Sequence, residues 1–299
     1  MAAAGILCER DGHNELNILC PPNGSCWLSG SAPVLQRQSP QEPADKLLTL
    51  DIGNTNITAG VYAGAEPGAR WRVATARERT ADEYGLQLVG FLQHAGHTAQ
   101  HITGVAMASV VPPLTGTFLR ACQQYLHCTP LVVDAGVRTG VRVRYDDPRQ
   151  VGADRVVDAA AVHALYGGPA CVVDFGTATT FDAISANGDY LGGAIAPGIE
   201  IAADALFQRA AKLPRVELAR PPAAIGSNTV HSIQSGLLYG YVGLVEGMVA
   251  RFRSELGDNM KVIATGGLAE VLARETAVID IVAPWLTLDG LRIIWELNQ

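Results

Sequence analysis

The sequence predicts an α/β chain of two similar halves, each a mixed sheet flanked by helices, facing a shared cleft. Three observations carry this reading. Residues 47–62 run Leu-Leu-Thr-Leu-Asp51-Ile52-Gly53-Asn54-Thr55-Asn56-Ile57-Thr58-Ala-Gly-Val-Tyr: an apolar strand, a polar turn and a second strand. Residues 170–183 repeat the frame, with Asp174-Phe-Gly176-Thr177 where the first hairpin has Asp51-Ile-Gly53-Asn54. Residues 262–267, Val-Ile-Ala-Thr265-Gly266-Gly267, make a short strand that ends in a glycine pair.

Each hairpin carries a carboxylate at the end of a buried strand, followed by glycine and hydroxyl or amide side chains. That pattern suits a metal–phosphate site. Asp51 can hold a hydrated Mg²⁺, and Gly53 lets backbone N–H groups approach phosphate oxygens. Asn54, Thr55 and Thr58 add neutral donors. The first hairpin alone is equally an ordinary Asp-Gly turn; its recurrence favours phosphate chemistry. The glycine pair at 266–267 would let a nucleotide lie against the backbone.

The remaining elements follow in order. Residues 71–75 read as a strand. Thr80-x-x-Glu83 is a capping box that opens a helix to about residue 94, with Leu86, Leu88, Val89 and Leu92 as its apolar positions. Residues 102–111 form a strand stopped by Pro112-Pro113, then a helix spans 114–125 and a strand 130–133. Residues 199–211 and 228–253 read as helices, the second with Gly236, Gly240, Gly243 and Gly247 three or four apart. Such spacing permits close helix–helix contact within or between subunits.

Residues 141–158 hold a second chemical stretch, Tyr145-Asp-Asp-Pro148 followed by Gly152-Ala153-Asp154-Arg155. Pro148 marks a turn, and Asp154 falls at or just inside the start of a helix running to about residue 165. There the helix dipole and a neighbouring guanidinium would hold its carboxylate ionised. An ionised carboxylate at a cleft edge can take a proton from an attacking hydroxyl. The plainer reading is a helix cap beside a surface ion pair, which the local sequence alone favours.

Two Asp-x-Gly hairpins with a late Thr-Gly-Gly turn resemble the acetate kinase–sugar kinase–heat-shock protein–actin superfamily. That resemblance implies duplicated ribonuclease H-like (actin-like ATPase) domains with the active-site cleft between them. Asp51-Ile-Gly-Asn-Thr, Ser109-Val-Val-Pro112, Tyr145-Asp-Asp-Pro, Gly152-Ala-Asp-Arg155, Asp174-Phe-Gly-Thr-Ala-Thr180, Gly192-Gly-Ala-Ile-Ala-Pro-Gly198 and Gly226-Ser-Asn-Thr229 occur in an order and spacing similar to type III pantothenate kinases. The match runs from about residue 47 to Leu286-Thr-Leu-Asp-Gly-Leu291.

The resemblance implies ATP-dependent phosphorylation of pantothenate to 4′-phosphopantothenate, the first step of coenzyme A synthesis. It makes Asp154 the proton acceptor, against the plainer reading. It assigns ATP to Asp51, Ile52, Gly53, Asn54, Thr55, Asn56, Ile57, Thr58 and Thr177. Pantothenate falls to Tyr145, Gly152, Ala153, Asp154, Arg155 and Thr229. Asp174 matches the position that binds a monovalent cation, K⁺ or NH₄⁺. A homodimer is implied as well. The expected division is an N-terminal extension over 1–46, a first actin-like half over 47–163 and a second, with dimerisation helices, over 164–299.

Composition bounds the alternatives. The 299 residues carry a net charge of −7, which argues against a general nucleic-acid binder. No apolar run approaches the roughly 20 residues of a membrane-spanning helix. Residues 1–6 are too short for a secretory core and are followed by acids, so a cytoplasmic protein is expected. The six cysteines fit no common zinc frame and reduced thiols are expected; a metal clasp of Cys8, His13, Cys20 and Cys26 is a weak option, as is a His94, His97 and His101 group. Cys171 reads as core. Neither hairpin contains lysine and no Gly-x-x-x-x-Gly-Lys-Ser/Thr occurs, so this is not a P-loop kinase. Two other readings keep the hairpins: a nucleotide-binding accessory or regulatory protein, and a phosphatase or ATPase that uses water. Neither needs Tyr145, Gly152–Arg155 and Thr229 together.

Overall fold

Two five-stranded sheets repeat one strand order. The computed structural model describes residues 45–299; the N-terminal extension and the Cys8, His13, Cys20 and Cys26 group lie outside the described residues. The first sheet comprises β1 (Lys46–Ile52), β2 (Asn56–Ala63), β3 (Glu66–Ala74), β4 (Ile102–Ser109) and β5 (Leu131–Val132), in the order β3-β2-β1-β4-β5. The second comprises β6 (Ala170–Phe175), β7 (Ala178–Ile184), β8 (Tyr190–Pro197), β9 (Lys261–Gly266) and β10 (Ile281–Val282), in the order β8-β7-β6-β9-β10. In both, the first three strands form an antiparallel meander and the next two run parallel to the central strand. This is the duplicated ribonuclease H-like arrangement.

The register makes the duplication chemical as well as topological. Across the first sheet, Asp51 pairs with Thr58 and Thr58 with Arg72. Across the second, Asp174 pairs with Thr180 and Thr180 with Ile195, while Thr265 flanks Asp174 on its other side. Directly paired residues share a face of the sheet. Each half therefore presents an Asp–Thr row to the cleft.

The helices start where local chemistry directs. In α1 (Ala81–His94) the Thr80 hydroxyl accepts the Glu83 N–H and the Glu83 carboxylate accepts the Thr80 N–H, the expected capping box. Leu88 and Leu92 are buried as expected, but Leu86 faces solvent. Tyr84 takes the inward place instead, its ring tilted against Phe118 with centres 4.5 Å apart. α2 (Pro112–Tyr125) begins on the two prolines, which end β4 and also open the helix, because the first helical positions need no N–H donor.

α3 (Ala153–Leu165) is the pivot of the molecule. Residues 157–162 are all buried, on every side of the helix. Val157 and Ala160 join the cluster that packs on the first sheet with Leu288, Leu291 and Ile294. Ala159, Ala161 and Val162 join the cluster on the second sheet with Val172, Ile184 and Ile263. The small alanines let both sheets come close, so the N-terminus of α3 is fixed between the halves. α7 (Leu286–Leu297) returns from the C-terminal segment to lie along α3, β1 and β4.

α4 (Ile199–Arg209), α5 (Thr229–Leu256) and α6 (Ala269–Ala273) belong to the second half. α5 packs Leu238, Val242, Val245 and Val249 on the sheet; Cys171 lies in the same core. Its glycine face meets no other helix among the described residues. A Cβ at Gly236, Gly240 or Gly243 would touch nothing within 4 Å, and at Gly247 only the Arg251 guanidinium, 3.4 Å away. Ile201, Leu206 and Phe207 of α4 are exposed too. Intrachain contact, one of the two expectations for the glycine spacing, is therefore absent among the described residues. No described helix is long and apolar enough to cross a membrane.

Candidate active site

A cleft of about 800 Å³ opens between the sheets. It is lined by both hairpins, the Thr265–Gly266–Gly267 turn, Asp154 and Trp285. The hairpin tips meet over it: Thr55 Oγ1 and Thr177 Oγ1 are 2.6 Å apart. Each turn is closed by its own backbone, Gly53 N–H donating to Asn56 and Gly176 N–H to Ala178, both at 3.0 Å. Thr75 Oγ1 donates to the Gly53 carbonyl at 2.7 Å, and Arg77 holds the Asn54 side chain at 2.9 Å. Asp51, Gly53, Asn54, Thr55, Asn56, Thr58, Asp174 and Thr177 all line the cleft, whereas Ile52 and Ile57 are buried beneath it as core.

The carboxylates of the cleft are half-enclosed and mutually repelling. Asp51 is pushed up to about 8, by burial first and then by the charges of Asp154 and Asp174, with Arg72 opposing. Asp174 is raised to about 7 by burial, then by Asp154 and Asp182, again opposed by Arg72. Two glycines wall Asp174. A Cβ at Gly176 would lie 3.3 Å from Oδ2, and one at Gly266, where φ is +91°, would collide with Oδ1. Only glycine fits at 266, for reasons of space and backbone conformation alike.

This donor set suits hard cations. It offers carboxylate and hydroxyl oxygens, and among the described residues no cysteine or histidine lines the cleft. Among the described residues no three of His, Cys, Asp and Glu converge closely enough to hold a metal ion by themselves. A Mg²⁺ here would take its remaining ligands from phosphates and water, as that ion prefers. Of the other candidate metal group, His94, His97 and His101, two members are occupied otherwise: His97 Nδ1 lies 3.0 Å from Lys46 Nζ, and His101 Nδ1 accepts the Thr98 N–H.

Asp154 enters the cleft from the first turn of α3, where Oδ1 accepts the Arg155 N–H at 2.8 Å. Gly152 caps the helix, and a Cβ there would come within 2.5 Å of Oδ1. The expectation that a neighbouring guanidinium dominates the environment of Asp154 needs correction. Burial outweighs the Arg155 N–H and charge, and the Asp154 pKa is raised. Arg155 is instead committed to Asp182, with Nε 2.6 Å from Oδ1. Asp182, on β7, also accepts the Tyr190 hydroxyl at 2.9 Å and the Thr180 hydroxyl at 3.1 Å. This buried cluster fixes the start of α3 against the second sheet.

Tyr145 stands at the edge of the same cluster. Residues 142–144 run beside β8, with Arg144 N–H donating to Tyr190 and Tyr190 N–H to Arg142, at 2.7 and 2.9 Å. The Tyr145 ring lies 6.4 Å from that of Tyr190 and covers Gly192. Gly193 has no room for a side chain, since a Cβ would strike the Phe181 carbonyl and approach Arg155 Nη2. Tyr145, Gly152, Ala153, Asp154 and Arg155 thus form one group. Thr229 does not join it in this chain: it opens α5 and lines a separate hollow with Ser232 and Gly236.

The sequence reading passed over four residues of the site. Arg72 and Trp285 line the cleft, Asp182 anchors Arg155, and Asp158 lies one turn below Asp154 with Oδ1 unpartnered. Asp158 is buried among carboxylates and its pKa is raised well above the usual range, first by burial and then by Asp174. Only the register identifies Arg72, because β3 lies two strands from Asp51 in the sheet.

Known proteins resemble this chain over most of its length. A family model described as type III pantothenate kinase matches residues 47–251. A type III pantothenate kinase of Moorella thermoacetica is 56% identical over 252 residues, 84% of this chain and 99% of the relative. Another, of Roseiflexus castenholzii, is 54% identical over 253 residues, 85% of this chain and 99% of the relative. Among solved structures, a protein described as a Baf family transcriptional activator from Campylobacter jejuni superposes with a TM-score of 0.54 at 21% identity. That match covers 84% of this chain and 98% of the other. An ethanolamine utilization protein from Carboxydothermus hydrogenoformans gives 0.52 at 15% identity, over 86% and 92%. These two likenesses concern the fold alone.

Proposed function

The chain belongs to the type III pantothenate kinase family, and on that premise we propose how its cleft transfers a phosphoryl group from ATP to pantothenate. The reaction is the first step of coenzyme A synthesis. The primary hydroxyl of pantothenate attacks the γ-phosphorus of ATP in line, the bond from that phosphorus to the β,γ-bridging oxygen breaks, and ADP leaves. Asp154 accepts the hydroxyl proton. The observation that carries this reading is the convergence of both Asp-x-Gly hairpins on Asp154 in one cleft. A base with a raised pKa is closer to the working pH and better matched to that transfer.

Phosphoryl transfer asks the protein chiefly for positioning and charge neutralisation. The first hairpin, residues 51–58, would hold the phosphates through backbone N–H groups and neutral side chains, with Thr177 opposite. Asp51 would engage Mg²⁺ through phosphates or water, and Asp174 a K⁺ or NH₄⁺ ion. When bound, these cations offset the phosphate charge that four acidic cleft residues would otherwise repel. Tyr145 and residues 152–155 would orient pantothenate, with the Arg155–Asp182 pair as their anchor.

The open glycine face of α5 and the exposed α4 side chains fit a second copy of the chain, so the enzyme is read as a homodimer. On this reading Thr229 meets pantothenate only in the dimer. The halves are taken as residues 47–163 and 164–299, with α7 returning to the first. The setting is the cytoplasm, where ATP and K⁺ are plentiful.

A coupled assay of ADP release, with and without pantothenate and in K⁺ or Na⁺ buffer, tests the reading. Release should require pantothenate and K⁺ together. Activity in both buffers would remove the Asp174 cation and keep the kinase. ADP release indifferent to pantothenate would overturn the kinase assignment.

A further inference from the structure

The two Asp–Thr rows that floor the cleft are alike except at their outer ends. The second ends in Ile195, whereas the first ends in Arg72. Among the described residues lining the cleft, Asp51, Asp154, Asp174 and Glu200 are acidic, and Arg72 is the single basic side chain. Arg72 is exposed to the cleft and makes no hydrogen bond or ion pair with any described residue. It is nevertheless held in place. Its guanidinium carbon lies 5.5 Å from the centre of the Trp285 ring, a cation–π distance. Its Nη1 lies 3.3 Å from where a Cβ of Gly267 would stand, so it spans from the first sheet to the glycine turn of the second.

The neighbouring arginine on the same strand shows the contrast. Arg70 also lies against this indole, 5.4 Å from its centre, but is tied to Asp289 at 3.6 Å. One arginine is committed to the scaffold, and the other keeps its donors free. A guanidinium held against an indole, with its N–H groups unspent and the Asp51 and Asp174 carboxylates in the same cleft, is prepared for a multiply charged anion.

We propose that Arg72 is the phosphate-binding cation of this site, donating to the non-bridging oxygens of the nucleotide's terminal phosphates, with Trp285 as its rest. The inference builds on the kinase reading and adds the residue that does the work a lysine does in a P-loop. Phosphate is favoured over the carboxylate of pantothenate because Arg72 sits between the hairpins and the Gly266–Gly267 turn. Tyr145 and Arg155 gather instead around Asp182 and Tyr190.

The test is calorimetric titration of ADP into wild type, Arg72→Ala and Arg72→Lys, at fixed Mg²⁺ and ionic strength, beside the KM for pantothenate. Arg72→Ala should weaken ADP by about tenfold to a hundredfold, with pantothenate KM within about twofold. Arg72→Lys should recover part of the loss, because it keeps the charge without the planar fork. Should the alanine variant not fold, Arg72→Gln replaces it in the same comparison. ADP affinity equal to wild type overturns the inference, as does a rise confined to pantothenate KM. A wild-type protein that binds ADP yet does not phosphorylate pantothenate counts against the kinase reading and leaves the Arg72 comparison readable.

Discussion

Thr55 and Thr177 touch through their hydroxyls at 2.6 Å, although 122 residues separate them in the chain. Each stands at the tip of its own hairpin, so the contact is where the two halves meet above the cleft. An exposed neutral hydrogen bond contributes only about 1 kcal/mol, and it is α3, buried between the sheets, that joins the halves. The contact matters for position: on the proposed reading, phosphates entering between the hairpins would share these hydroxyls. Thr177→Val is expected to raise the KM for ATP roughly tenfold while the melting temperature barely moves. Steady-state kinetics paired with thermal melting checks both halves of that statement.

Asp154→Asn keeps an oxygen for the Arg155 N–H and removes the proton acceptor. Turnover should fall by about 10²- to 10⁴-fold, with ADP affinity close to wild type. Near-normal turnover would assign the proton to another group.

Arg155 and Asp182 form a pair whose side chains are 13% and 2% exposed, so solvent does little to screen it. Removing the acid leaves a guanidinium without compensation beside Tyr190. Asp182→Asn should cost roughly 3 to 5 kcal/mol of stability. Because Arg155 fixes the first turn of α3, the same variant should also lower kcat. Denaturant unfolding measures the first effect; a loss under 1 kcal/mol, by the same scale, would show that the pair is dispensable.

The raised carboxylates give stability a definite pH dependence. Asp51 titrates at about 8 and Asp174 at about 7 in the fold, whereas an unfolded aspartate titrates near 4. Between about pH 4 and 8 the folded chain therefore holds more protons than the unfolded one, and stability falls as pH rises through that window. Ligand-free protein in cation-depleted buffer should melt lower at about pH 8.5 than at about pH 5.5. Asp51→Asn should flatten the profile. A wild-type melting temperature that climbs across this range would contradict the assigned environment.

Much of this was legible in the sequence because local chemistry announced it. The Thr80–Glu83 capping box, the hairpin turns at Gly53 and Gly176 and the helix starting beside Asp154 all appear where their residues predict. The prolines at 112 and 113 read as a stop, while their second use, opening α2, needed the structure. β8 escaped because its glycines mask a strand; Gly193 is there to clear Phe181 and Arg155, a constraint from β7 and α3. Asp154 itself was found, but the direction of its pKa shift was misjudged: burial raises it, and Arg155 turns toward a partner 27 residues further on. Arg72 carries no local signature at all. It becomes part of the site only through strand register and through an indole from the far end of the chain.

The central claim is that this cleft moves a phosphoryl group from ATP onto the hydroxyl of pantothenate, with Asp154 as base. Phosphorus NMR of a mixture of enzyme, Mg²⁺, K⁺, ATP and pantothenate reads that transfer directly. The account predicts ADP and a new phosphomonoester resonance growing together, both nearly abolished in Asp154→Asn. ADP appearing with inorganic phosphate and no phosphomonoester would contradict it, because water would then be the acceptor.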